Sequence, residues 1–224
     1  MKKRTEKKLS EHKEHKEYKY NKKELSTDPE HTLIIIDWDD TLFPTSWTVQ
    51  NNIDLTDPRS RYKYIKYFEN LDRYLSNMLE HITKLGDVLI ITNAVLQWIE
   101  LSSSVLPKTK KILSSVDIVS ARDRQKNNYK MNDWKKYTFM EEILKRISNK
   151  KYYNILSLGD AEFEHNALVN LYHFHHIPFK YLKSIKFIKS TEYDITVEQI
   201  KMIKKYIGNI IHMKRHIDLT FDTQ

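Results

Sequence analysis

The sequence contains no cysteine, only 3 glycines and 5 prolines in 224 residues. Without cysteine there is no disulfide, no thiolate nucleophile and no cysteine-ligated zinc. So few glycines argue against an all-β architecture, whose many tight turns need residues tolerant of positive φ. No apolar run approaches the length of about 18 residues that marks a membrane span, and the amino terminus lacks the apolar stretch of a secretory signal. These absences set the expectation of an intracellular protein, cytoplasmic or nuclear, without membrane insertion.

What is present suffices for a substantial core, since 40% of residues are hydrophobic and 12% aromatic. The formal net charge of +8 favours anionic partners, a property of association rather than of fold. Abundant Lys, Asn, Ile and Tyr also follow from A/T-rich coding sequence, so part of the basic excess carries no functional message. Residues 1–29 are a low-complexity stretch of Lys, Glu and His that cannot bury an apolar face. It reads as a basic tail, disordered or a loosely held solvated helix. Lys2, Lys3 and Arg4 form a basic patch, but interleaved Glu6, Glu11, Glu14 and Glu17 make a solvated spacer the better reading. Residues 30–224 read as one domain.

Chemistry concentrates in Leu33-Ile34-Ile35-Ile36-Asp37-Trp38-Asp39-Asp40-Thr41-Leu42. The apolar run is a buried strand, too short for a helix. Carboxylates crowded at the end of a buried strand need a cation or a proton to relieve their repulsion. Asp40 reads as a turn or loop contact. Trp38 alternates away from Asp37 and Asp39 and reads as packing, whereas Phe43 and Trp47 fit packing and exposed recognition equally.

Further along, Thr56-Asp57-Pro58 is a helix start, and apolar residues recur at helical spacing to Gly86, a C-cap candidate. Val88–Asn93 is a second strand, followed by a helix over about 94–106 that stops before Pro107. Val116–Ser120 is a third strand, and a helix over about 133–148 follows the polar segment Arg122–Asp133. Tyr153–Leu158 is a fourth strand running into Gly159-Asp160. A helix over about 161–175 and a fifth strand within Phe179–Ile188 come next. Thr196-Val197-Glu198-Gln199 has the capping-box pattern and predicts the start of a last amphipathic helix. His173, His175 and His176 close a helix; His212, Lys214, Arg215 and His216 are read as a solvated basic face of the last one. The alternation predicts an α/β fold, a Rossmann-like parallel β-sheet with helices on both faces and ligands at the carboxyl ends of the strands.

Four stretches, in order, resemble the haloacid dehalogenase-like (HAD-like) superfamily. They are Asp37-Trp38-Asp39-Asp40-Thr41 after a hydrophobic strand, Thr92 at the end of another, a lysine near a helix start, and Gly159-Asp160 with Glu164. Lys135 is the chosen lysine, with Lys136 and Lys126 as rivals. The resemblance covers about residues 31–190 and implies a Mg2+-dependent phosphatase. In that reading Asp37 and Asp160 are side-chain metal ligands, the Asp39 backbone carbonyl is a third, and Glu164 holds a metal-bound water or orients the lysine. Asp37 would be the nucleophile, forming an aspartyl-phosphate, and Asp39 the general acid and base. Thr92 and Lys135 would cradle the phosphoryl oxygens.

Neither segment 42–87 nor 120–135 is long enough for a large cap domain, which resembles the capless members. That implies a phosphorylated macromolecule as partner, phosphoprotein before nucleic-acid end. Two alternatives stand beside it: a non-catalytic adaptor of the same fold binding anionic partners, and a small-metabolite phosphatase.

Overall fold

The structure, a computed structural model, describes residues 25–125, 134–174 and 180–221. The strands are β1 (Thr32–Ile36), β2 (Asp87–Thr92), β3 (Asp117–Ser120), β4 (Asn154–Gly159), β5 (Tyr181–Lys186) and β6 (Ile217–Thr220). They form one sheet in the order β3-β2-β1-β4-β5-β6, and every neighbouring pair is parallel. The helices are α1 (Thr45–Gln50), α2 (Pro58–Lys63), α3 (Ile65–Ile82), α4 (Leu96–Ser103), α5 (Pro107–Leu113), α6 (Ala121–Gln125), α7 (Trp134–Asn149), α8 (Glu162–Phe174) and α9 (Tyr193–His212). No helix among the described residues is long and apolar enough to cross a membrane.

β1 is central and buried along its whole length. Ile34 and Ile36 face a core completed by α3, α5 and α9, while Leu33 and Ile35 face α7 and α8. A strand covered on both faces must be apolar at every position, which is why the run Leu33–Ile36 does not alternate with polar residues. The fold is therefore the expected α/β, Rossmann-like architecture, and no large cap domain is present among the described residues. The chain leaves β1 toward β2 on one side, and β4 pairs with β1 on the other. The strand order thus reverses between β1 and β4, where such sheets bind ligands beyond the strand ends.

Several local expectations are corrected. The stretch Phe43–Trp47 includes the start of α1, because Pro44 precedes a helix rather than breaking one. One long helix after Asp57 is instead α2 and α3, parted at Tyr64; Asp57 does cap α2, accepting from the Arg59 and Ser60 N–H groups. Gly86 is no C-cap, since α3 ends at Ile82 with Thr83 as its C-cap. A Cβ on Gly86 would lie 2.7 Å from the Thr32 carbonyl oxygen, so glycine is there for close strand approach. Pro107 opens α5, whose first N–H groups at Lys108 and Thr109 are capped by the buried Asp72 carboxylate. The capping-box pattern at Thr196 lies inside α9, with Thr196 buried and Gln199 bonded to both backbone groups of Ile188. Lys214, Arg215 and His216 lie beyond α9 and lead into the unforeseen edge strand β6. Trp38 and Phe43 are fully buried and Trp47 nearly so, which decides all three for packing. Residues 1–24, Lys126, His175 and His176 lie outside the described residues.

Candidate active site

Asp37 follows β1 directly, and its N–H donates to the Leu158 carbonyl of β4 at 2.9 Å. Asp160 follows β4 directly. The two carboxylates thus close adjacent strands at the switch point, and both are buried, at 3% and 8% exposure. Asp37 Oδ1 accepts the Trp38 N–H at 2.7 Å. Trp38 itself turns to the opposite face, where its indole N–H meets Ser102 Oγ at 3.0 Å and its ring lies parallel to Phe43. Strand alternation therefore anchors Trp38 and leaves Asp37 on the other side of the chain.

The acidic loop is a tight return. Leu42 and Phe43 N–H groups both donate to the Trp38 carbonyl, and Asp40 N–H donates to Phe43. Asp40 adopts a left-handed φ of 54°, uncommon without glycine but tolerated best by Asp and Asn. Its carboxylate compensates by accepting the Ser46 N–H at 2.7 Å and the Ser46 hydroxyl at 2.5 Å, fastening the first turn of α1. Asp40 is thus a loop contact, as its position suggested.

Asp39 is half-buried and held from three elements. Its Oδ1 accepts the Thr45 hydroxyl at 2.6 Å and the Trp98 indole N–H at 2.8 Å. Its Oδ2 lies 3.1 Å from Thr92 Oγ1, which also accepts the Ala94 N–H at 2.9 Å. Two donors thus engage Oδ1 and a single hydroxyl engages Oδ2. Thr92 is fully buried at the end of β2. Asn93 Oδ1, next to it, is buried without a hydrogen-bond donor.

Glu164 is buried in the first turn of α8 and packs against Gly159: a Cβ there would fall 2.5 Å from Glu164 Cδ. A side chain at position 159 would have to displace the Glu164 carboxylate, which links two residues the sequence motif merely juxtaposes. Lys135 occupies the second position of α7, but its side chain lies outside the described residues. Lys136 is half-buried, with Nζ over the Tyr137 ring at 5.8 Å from the centroid. α7 is fixed from behind by Glu142, which pairs with Arg124 of α6 and lies 3.7 Å from Arg146.

No group of three or more His, Asp or Glu side chains among the described residues is arranged to hold a metal. The donor chemistry nevertheless fits Mg2+, which takes one or two carboxylates and keeps several waters. Two buried carboxylates on adjacent strand ends are such a set, and they are hard oxygen donors. The site also includes residues that sequence reasoning passed over. Trp98, from α4, and Arg122, from α6, line a surface depression of about 370 Å³ together with Asp39, Thr45 and Val49. Trp98 gave no signal, since its partner lies 59 positions away; Arg122 was one of 38 Lys and Arg residues.

No protein-family model and no curated protein matches this chain. Among solved structures it is similar to the HAD domain of effector protein Lem4 from Legionella pneumophila, at 12% identity and a TM-score of 0.47. The similarity spans 82% of this chain and 100% of that one. A likeness of that strength carries no argument about activity.

Proposed function

We propose that this protein is a HAD-like, Mg2+-dependent phosphatase without a large cap, acting through an aspartyl-phosphate on phosphorylated macromolecules, phosphoprotein before nucleic-acid end. The observation that carries the proposal is the juxtaposition at one strand-end crevice of buried Asp37 and Asp160, with Asp39 clamped nearby. Asp37 and Asp160 would hold the metal with the Asp39 backbone carbonyl, and Glu164 would support it through water. The cation, when bound, supplies charge neutralisation for a phosphate dianion that otherwise repels a carboxylate nucleophile.

The chain's own residues carry the steps. An Asp37 carboxylate oxygen attacks phosphorus as the bond to the leaving oxygen breaks, and that oxygen takes its proton from Asp39. Water then attacks phosphorus and gives its proton to Asp39 as the bond to Asp37 breaks, which restores the Asp37 carboxylate and the protonated Asp39. The Thr92 hydroxyl and Lys135 would contact the phosphoryl oxygens where charge gathers. Clamping of Oδ1 by Thr45 and Trp98 keeps Asp39 in one orientation for both proton transfers.

An uncovered site gains little from expelling water around a small ligand, so remote contacts must supply binding energy. The net charge of +8 makes acidic or phosphate-rich segments the favoured contacts. Phosphate release should be measured with and without Mg2+ from p-nitrophenyl phosphate, phosphopeptides, 3′-phosphorylated oligonucleotides and sugar phosphates. Mg2+-dependent release, with kcat/KM at least ~10-fold higher for a macromolecule, is expected. Binding of anionic partners without any release would favour the adaptor, and a preferred sugar phosphate would favour the small-metabolite enzyme.

A further inference from the structure

The depression beside Asp39 has a composition that the catalytic steps do not require. Thr45 and Val49 are four residues apart in α1, hence on one helix face, with Val49 about 6 Å further out along the axis. Thr45 touches Asp39, so Val49 stands roughly a phenyl ring's length from the acid. Val49 is 68% exposed, an apolar side chain held in solvent by a helix pinned at both Asp39 and Asp40. Trp98 continues this wall: its N–H edge is fixed on Asp39 and the ring is partly exposed. Val95 also lines the space, and the exposed cation Arg122 completes it. Among the described residues, no acidic side chain apart from Asp39 lines the depression.

We infer that this depression seats the leaving group and selects phosphotyrosine flanked by acidic residues. The inference rests on the phosphatase reading, because it uses Asp39 as the group beside the leaving oxygen. A tyrosyl oxygen at Asp39 carries a ring that covers the Val49, Val95 and Trp98 wall, whereas a seryl oxygen carries one methylene and leaves it wet. A carboxylate next to the phosphotyrosine meets Arg122.

The test uses the Asp37→Asn protein, which cannot turn substrate over, titrated calorimetrically in Mg2+ buffer. The ligands are two peptides of one sequence bearing phosphotyrosine or phosphoserine, each with Glu or Gln flanks. The phosphotyrosyl peptide is expected to bind ~10-fold or more tightly, the scale of one good apolar contact. Val49→Asp, a change at an exposed position, should bring that ratio close to one. Arg122→Gln should remove the preference for Glu flanks and leave the tyrosine-to-serine ratio intact. Equal affinity for the two peptides, or a ratio indifferent to Val49→Asp, overturns the inference. Phosphate release by the wild-type protein separates the two claims. Release without peptide discrimination removes the subsite and keeps the phosphatase, while discrimination without release keeps the subsite and removes the phosphatase.

Discussion

The Trp98 indole N–H donates to Asp39 Oδ1 at 2.8 Å, joining α4 to the acidic loop. Trp98→Phe keeps the ring and deletes this donor. It is expected to lower kcat by about 10-fold, less than the ~10²–10⁴ of losing the general acid–base group itself, with KM nearly unchanged. The loss should be greater for an alkyl phosphate, whose leaving oxygen needs a proton, than for p-nitrophenyl phosphate. Equal losses on both esters would indicate a structural role only.

Asp40 holds a left-handed backbone and secures α1 through Ser46. Asp40→Ala loses both hydrogen bonds and keeps the strained φ, and should cost about 1–3 kcal/mol of stability in urea unfolding. Asp40→Gly loses the same bonds but relieves the backbone, and should cost less. The reverse order would place the strain elsewhere.

Glu164 occupies the space a side chain on residue 159 would need. Gly159→Ala should displace it and raise the Mg2+ concentration for half-maximal activity by about 10-fold or more, the usual weight of groups supporting a metal's ligands. Unchanged Mg2+ dependence would show that Glu164 has no part in holding the ion.

Lys183, fully buried in β5, donates to the Ile210 and Ile211 carbonyls at the end of α9. Burial lowers its pKa from 10.5 to about 8. Between those values the unfolded chain holds the proton and the folded one does not, so this group makes stability rise with pH across that window. Below about 8 its cost is constant. Measured against Lys183→Met, the wild-type protein should gain on the order of 3 kcal/mol from pH 8 to 10.5. Parallel pH curves for the two proteins would contradict the shift.

The sheet was legible because a strand buried on both faces must be written as an unbroken apolar run, as in Leu33–Ile36 and Leu89–Ile91. The corrections come where one residue serves two opposite purposes. α4 does stop before Pro107, as expected, but the same proline opens the unforeseen α5, since its missing N–H costs nothing at a helix start. Thr196 and Gln199 have the spacing of a cap, yet tertiary contact with Ile188 draws them inside α9. β6 is short, at the sheet edge and mostly exposed, so no buried pattern marked it. At the site, Asp37, Asp39, Thr92 and Asp160 were readable as strand-end residues. The clamp on Asp39 was not, because Thr45 and Trp98 reach it only through the packing of α1 and α4.

The central claim is that Asp37 becomes covalently phosphorylated. Its most direct test is mass analysis of acid-quenched Asp39→Asn protein after mixing with p-nitrophenyl phosphate and Mg2+. That leaving group needs no proton, so the first transfer should proceed, while hydrolysis, which needs Asp39 as base, should slow by ~10²–10⁴. A hydroxylamine-labile phosphoryl adduct on the Asp37 peptide, absent without Mg2+ and in an Asp37→Asn, Asp39→Asn double variant, is the predicted result. Phosphate release at near wild-type rate by Asp37→Asn alone, with no adduct at residue 37 in either protein, would contradict it.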